Sequence, residues 1–395
     1  MTRTNKAGNH TPLHLGSRGA TLRAVTSVMI VAVCSTFLTG CWSARELNRS
    51  ALIAGVGFDR QGDLYKMTVQ IVQPQKLQPN NRGQTQRAVF ESEQTGHSIF
   101  NVIRLFPEHA TRKLFWSHCR IFVIGSDMAK EGVTQTLNWF YRNQELRPLS
   151  YVAVSSTTAA SIMYTKTHLE AVPAYDIADD IETMTDTSRA PVVRLKDFMQ
   201  MTSSPEHAAY APLIDGMRVK GTAVFLHDKL VGTLNGDESR GLVCLNNQVR
   251  SGDITFSAVE DSKDTAEKDF MSLEIIHSNT RKTVQFGGRL PKVVYQIYCV
   301  ADIADDPSPT GHTEADIQKI EQRAAARIVE TSSACITKVK SYDADVIGAG
   351  EAIHRANPRT WNQLASQWDA LFPNLPTEVL ASVRIRHEGL IQARK

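Results

Sequence analysis

The residues with the most definite chemistry stand near the start of the chain, where Leu38-Thr39-Gly40 leads into Cys41. Ahead of them residues 24–38 are apolar or small throughout, and Arg3, Lys6, Arg18 and Arg23 form a positive stretch without an acidic residue. A basic start, a short apolar run and small residues before a cysteine describe an export signal that ends in lipoprotein processing. Leu38, Thr39 and Gly40 are what a lipoprotein signal peptidase would recognise. The Cys41 thiol would take a diacylglycerol, cleavage would free its amine, and an N-acyl chain such as palmitate would follow. At about 0.8 kcal/mol per buried methylene, two or more acyl chains give lasting attachment. The apolar run itself is too short to span a bilayer comfortably. Beside the acylated residue, Trp42 can rest its ring at headgroup level and Arg45 can face anionic phosphates.

Other reactive residue types do not assemble into a centre. His387-Glu388 is followed by Gly389-Leu390-Ile391, so no zinc-protease motif forms, and His97, His109 and His118 lack metal-ligand spacing. Cys119, Cys244, Cys299 and Cys335 are scattered with no CxxC pair, which reads as buried free thiols, with one or two disulfides of an exported protein as the alternative. Gly348-Ala349-Gly350 lacks the later glycine of a dinucleotide fingerprint and reads as a flexible break between helices. Ser239, between Gly236 and Gly241, reads as a surface turn rather than a nucleophile elbow. Asp176, Asp179, Asp180 and Glu182 lack the glycine and spacing of a calcium loop and read as a solvated linker face. Trp361 and Trp368, at helical spacing, read as core rather than as a sugar platform. The expectation is a non-enzymatic protein with no metal and no cofactor beyond the covalent lipid at Cys41.

Composition narrows the partners. The chain has 44 basic and 41 acidic side chains, a formal +3; removing the four basic residues ahead of Cys41, with no acid lost, turns +3 into −1. A nearly neutral mature chain gives no broad electrostatic case for nucleic acid. Its length allows two or three compact domains.

The elements that must position these residues divide into five spans: 1–40 a lipoprotein signal peptide, 41–48 a lipidated tether, 49–200 an N-terminal mixed α/β domain, 213–262 a small β-rich central domain, and 265–395 a C-terminal α+β domain. Residues 52–58 and 64–72 predict a hairpin, and 119–124 and 149–154 predict strands flanking a helix over 128–142, a crossover unit. Residues 219–226, 229–234 and 255–259 predict strands separated by turns at His227-Asp228 and Asn235-Gly236-Asp237. In the last third, strands at 271–276 and 292–300 precede a long helix started by Thr313 and Asp316. Asn357-Pro358 opens a second helix, and Val383 and Ile385 lie on one face of a final strand. The fold class expected is α+β (mixed α/β), with helices on one face of an antiparallel C-terminal sheet.

Several of these segments together resemble one family. Cys41-Trp42-Ser43-Ala44-Arg45-Glu46-Leu47-Asn48 is similar to the GCWDxxEL start of mature Ger(x)C spore germination lipoproteins, the C subunits of germinant receptors. Gly55-Val56-Gly57-Phe58-Asp59 resembles that family's first strand, and residues 116–125 resemble its central N-domain motif. Residues 342–350, followed by Pro358, Trp361, Trp368 and Phe372, resemble its C-terminal signature. Ser43 replaces the family's usual Asp, and Ala349 stands where an aromatic is common. The resemblance implies a non-enzymatic three-domain protein, lipid-tethered at the outer face of the spore inner membrane. It implies two membrane-embedded partners, the A-type and B-type receptor subunits. The competing readings are a solute-binding lipoprotein of a transporter, which needs two similar doubly wound lobes, and a cell-wall hydrolase, which needs paired carboxylates or a metal triad.

Overall fold

The structure is a computed structural model that describes residues 23, 25–30, 50–77, 88–109, 113–167, 170–257, 270–307 and 312–387. The chain divides into two units, Met1–Ser50 and Ala51–Lys395. In the first, Arg23 and residues 25–30 are helical and exposed. Among the described residues no helix is long and apolar enough to cross a membrane.

In the second unit, thirteen strands among the described residues fall into sheets of nine and four. The larger sheet is built on β1 (Ser50–Gln61), which pairs antiparallel with β2 (Leu64–Val72), and β2 pairs antiparallel with β3 (Val89–Gly96). On its other side β1 runs parallel to β5 (Ile121–Ile124), followed by β6 (Tyr151–Ser155) and β7 (Tyr210–Asp215), also parallel. The short β4 (Lys113–Phe115) pairs with β1, and the antiparallel β8 (Arg218–Leu226) and β9 (Lys229–Leu234) complete the far edge.

Parallel strands covered on both faces need apolar side chains at every position. β5 and β6 meet that demand: every residue of both is buried. Their side chains alternate between two cores. Ile121, Val123 and Ala153 join α4 (Ala159–Tyr164) and α5 (Pro173–Thr187) on one face. Phe122, Ile124, Val152 and Val154 join α1 (Ile99–His109), α2 (Ser126–Glu131), α3 (Thr134–Arg142) and α6 (Leu195–Ser203) on the other. The helix expected over 128–142 is therefore two helices, broken at Gly132, whose φ of 133° belongs to the region glycine favours. Phe58 and Trp139 pack with ring centroids 5.7 Å apart, and Phe122 and Phe140 at 5.0 Å. Such pairs add about 0.5–1.5 kcal/mol beyond the area they bury.

Glycine in the first strand has a steric reason: a Cβ on Gly55 would lie 2.5 Å from the Cβ of Ala174. Further along the same strand, the buried Asp59 carboxylate accepts the amides of Ala159 at 2.7 Å and Ala160 at 2.8 Å. It thereby satisfies the opening turn of α4 from a neighbouring strand.

The smaller sheet has the order β10 (Asp253–Ser257), β11 (Phe270–Gln285), β12 (Lys292–Asp305), β13 (Thr377–Ile385). The first three pair antiparallel, but β13 runs parallel to β12, so this sheet is mixed rather than antiparallel as expected. The reason is the connection: the chain leaves β12, crosses through the helices, and re-enters from the same end. The crossover consists of α8 (Glu314–Lys340), α9 (Ala349–Ala356), α10 (Pro358–Leu364) and α11 (Trp368–Leu371). Thr313 and Asp316 form the expected capping box, and Ile320, Ala324, Ile328, Cys335 and Val339 form the buried stripe.

The span 213–262, expected to form a small domain, is divided between the sheets: β7, β8 and β9 belong to the larger and β10 to the smaller. Between them Asn235-Gly236-Asp237 opens α7 (Gly236–Leu245) instead of closing a turn. Asn235 Oδ1 accepts from Glu238 N at 2.9 Å, and Glu238 Oε2 accepts from Asn235 N at 2.9 Å. This reciprocal cap competes with the turn preference of Asn-Gly, and packing of the helix decides between them. Leu242 and Leu245 of α7 enter the main core while Val243 and Cys244 enter that of the smaller sheet, so one helix serves both.

Candidate functional site

The acylation residues, Leu38, Thr39, Gly40 and Cys41, and the interfacial Trp42 and Arg45 lie outside the described residues. The other residues singled out by chemistry are placed, and most are structural. Ser239 is buried in α7, where its Oγ accepts from the Thr222 hydroxyl at 2.9 Å; it is no surface turn. The acidic cluster belongs to α5 and not to a linker. Asp179 and Glu182 meet Arg120 at 2.7 and 3.3 Å, and Asp180 holds Arg218 at 2.8 Å while accepting Val219 N at 2.8 Å. Cys119, Cys244, Cys299 and Cys335 are free and buried. Burial pushes the Cys244 thiol up to about 11 and that of Cys299 to about 12, which makes both poor nucleophiles. Among the described residues no group of three or more His, Cys, Asp or Glu side chains could hold a metal ion.

The residues that do converge are those of the C-terminal signature, 342–350. Asp345 is buried, and its Oδ1 accepts from Ala349 N at 3.0 Å while Oδ2 accepts from Gly350 N at 2.7 Å and from Trp368 Nε1 at 3.2 Å. It thus caps α9 and fixes the indole in one step. Gly348, at φ 65°, lets the chain turn into that cap, and a Cβ there would sit 2.8 Å from Lys282 Nζ. The expected flexible break is therefore a tightly packed corner.

Residues from distant elements close around it. Lys282 of β11 donates to Ile347 O at 2.6 Å and to Asn246 Oδ1 at 3.1 Å, while Asn246 Nδ2 donates to Val346 O at 2.8 Å. Ala208 N donates to Asp345 O at 2.9 Å, tying in the segment that leads to β7. His354 Nδ1 lies 2.5 Å from Glu206 Oε1 and stacks over Trp361, which meets Trp368 with centroids 5.1 Å apart. Trp361 and Trp368 are both buried, as their spacing predicts.

Electrostatics follow the packing. Burial lowers the His207 imidazole, against the pull of Asp345, and raises the Asp345 carboxyl. Burial also lowers Lys282 to about 8, with Asp345 and Glu351 working the other way. The strongest contacts of Asp345 and Lys282 nevertheless go to backbone amides and carbonyls. Chemically the cluster is a lock that joins both sheets to the terminal helices, with its reactive groups committed to holding the chain. A separate concavity of about 740 Å³ lies between α1 and α3, lined by Phe100, Ile103, Trp116 and Trp139 with Arg104 and Arg142.

The tryptophans and the α8 cap were legible from local spacing, and the signature segment from the family resemblance alone. His207, Lys282 and Asn246 were not foreseen as members of the cluster, because they are far apart in sequence and carry no local pattern.

Comparison with known proteins gives two family matches in tandem. Residues 43–216 match the spore germination protein N-terminal domain, and residues 220–389 match the spore germination B3/GerAC-like C-terminal domain. The boundary falls at the β7–β8 turn, so β8 and β9 of the second span complete the sheet of the first. Spore germination protein KC of Bacillus subtilis (strain 168) is 27% identical over 405 residues, covering 93% of this chain and 96% of that protein. The putative spore germination protein YfkR of the same organism is 24% identical, covering 92% and 96%, and spore germination protein B3 is 20% identical, covering 93% and 98%. The crystal structure of the GerBC protein aligns with a TM-score of 0.57 at 17% identity, covering 84% of this chain and 96% of that one. That is a likeness of fold.

Proposed function

Since the chain belongs to the Ger(x)C family of spore germination proteins, we propose that it is the lipid-anchored, non-enzymatic C subunit of a nutrient germinant receptor. It is held at the outer face of the spore inner membrane by acyl chains on Cys41 and docks the membrane-embedded A-type and B-type subunits through its folded surfaces. The observation that carries this reading is the tandem match, which runs across residues 43–389 in family order. The sequence ahead of Cys41 supports the anchor. The larger body, locked by the Asp345 cluster, supports a subunit whose role is to present rigid surfaces near a bilayer. The transporter alternative is disfavoured, since sheets of nine and four strands are not two similar lobes.

The test is genetic and biochemical. Deleting the gene should abolish nutrient-triggered germination while leaving vegetative solute uptake intact, and the wild-type chain should restore it. An affinity-tagged full-length copy should bring down the two membrane subunits from spore membranes. Normal germination in the deletion strain, together with impaired solute uptake, would replace this reading with the transporter one.

A further inference from the structure

A cavity of about 300 Å³ lies where α7, β10, β11, β12 and α8 converge. Val249, Ile254, Ile275, Ile297 and Ile328 give it an apolar wall. Three arginines line it as well: Arg240 of α7, Arg327 of α8, and Arg189, which follows α5 from the first half of the chain.

The three arginines are matched in number by Asp237, Asp253 and Glu330, but the carboxylates are unevenly shared. Arg327 is satisfied twice, by Asp237 at 2.9 Å and Glu330 at 2.8 Å. Asp253 is shared between two guanidinium groups, Arg240 at 3.5 Å and Arg189 at 3.6 Å, while also accepting the Thr255 hydroxyl at 2.9 Å. Both arginine contacts are long for a charge-assisted bond, which closes to about 2.7–2.9 Å. Arg240 Nη2 is shielded from water and has no hydrogen-bond partner. Native structures leave few such donors unmade, because each costs its full desolvation. Burial works against the charge on Asp253, yet Arg240, Thr255 and Arg189 hold its carboxyl below the usual value. It therefore stays a single anion serving two cations.

We propose that this cavity binds a small carboxylate with an apolar body, its carboxylate set between Arg189 and Arg240 and its body against the isoleucine wall. Two guanidinium groups sharing one carboxylate at 3.5 and 3.6 Å leave a place for a second carboxylate, which the planar guanidinium fork matches. The volume is at the small end of ligand pockets, which run from about 300 to 1,000 Å³, so the ligand is of the order of a short-chain acid. Because Arg189 comes from one half of the chain and the wall from the other, the bound acid would bridge the two. This site is independent of membrane attachment and of the receptor reading.

Calorimetric titration of the full-length protein in detergent, with micelles alone as blank, tests it using hexanoate, its uncharged analogue hexanamide, and inorganic phosphate. Hexanoate should bind in the millimolar range or tighter, and hexanamide about tenfold more weakly or worse, as expected for loss of a charge-assisted bond. Phosphate should not saturate. Arg189→Gln should weaken hexanoate by about tenfold or more on the same scale. Its side chain is 67% exposed, so the variant keeps its fold. Ser278→Phe, which fills the cavity, should remove binding with the thermal melt retained. Absence of hexanoate binding, equal affinity for hexanamide, tighter binding of phosphate, or unchanged affinity in Arg189→Gln would each overturn the proposal.

Discussion

The Asp345 carboxylate accepts the Trp368 indole N–H at 3.2 Å while capping α9 through the amides of Ala349 and Gly350. One buried side chain therefore sets the start of one helix and the ring of another. Asp345→Ala would leave three donors without an acceptor, and it should cost roughly 3 kcal/mol or more of stability. Asp345→Asn, which keeps one acceptor oxygen, should cost less. Urea unfolding followed by tryptophan fluorescence measures both; equal midpoints for the two variants would contradict this account.

Lys282 gives a pH signature. Its folded value, lowered by burial to about 8, lies below the ordinary value of about 10.4. Between those two values the unfolded chain carries a proton that the folded chain has shed, so this group makes stability rise with pH. Below about pH 8 both states are protonated and the burial penalty is fully present. Asp345, Glu351 and Arg355 face the same ammonium. Lys282→Met should flatten the alkaline rise. Denaturant midpoints from pH 7 to pH 10 for both proteins are the measurement; parallel curves would remove Lys282 as the source.

Gly55 is held by the approach of α5, since a methyl at this position would fall 2.5 Å from the Cβ of Ala174. Gly55→Ala should destabilise by about 1–3 kcal/mol through overpacking. Ala174→Gly in the same chain should recover part of the loss, since it removes the opposing methyl. A double-mutant cycle without coupling would argue against direct contact.

Cys41→Ala should leave the second unit folded, because Ala51–Lys395 forms its own compact body. The variant should lose incorporation of labelled palmitate and move from the spore membrane fraction to the soluble one. Membrane retention in a strain lacking both partner subunits would count against the anchor.

What was legible in the sequence was whatever depends on near neighbours. β5 and β6 showed as short apolar runs, α8 by its cap and stripe, and the tryptophans by their helical spacing. Asn235 and Glu238 carried a capping signal of equal kind, but Asn-Gly also favours a turn, and only packing of Leu242 and Val243 against two cores decides for the helix. The acidic run of α5 looked solvated because its partners Arg120 and Arg218 lie far away in sequence.

By itself the sequence determined β5, β6, α8, the signal-like start ending at Cys41, and the resemblance to one family, since periodicity, caps and short motifs are local. Tertiary structure alone decided that β8 and β9 complete the first sheet, that β13 returns parallel to β12, and that Asp345, Lys282 and Asn246 meet. Those outcomes depend on which buried surfaces and unpaired polar groups find one another across long loops, and chain order does not encode that pairing in any local pattern.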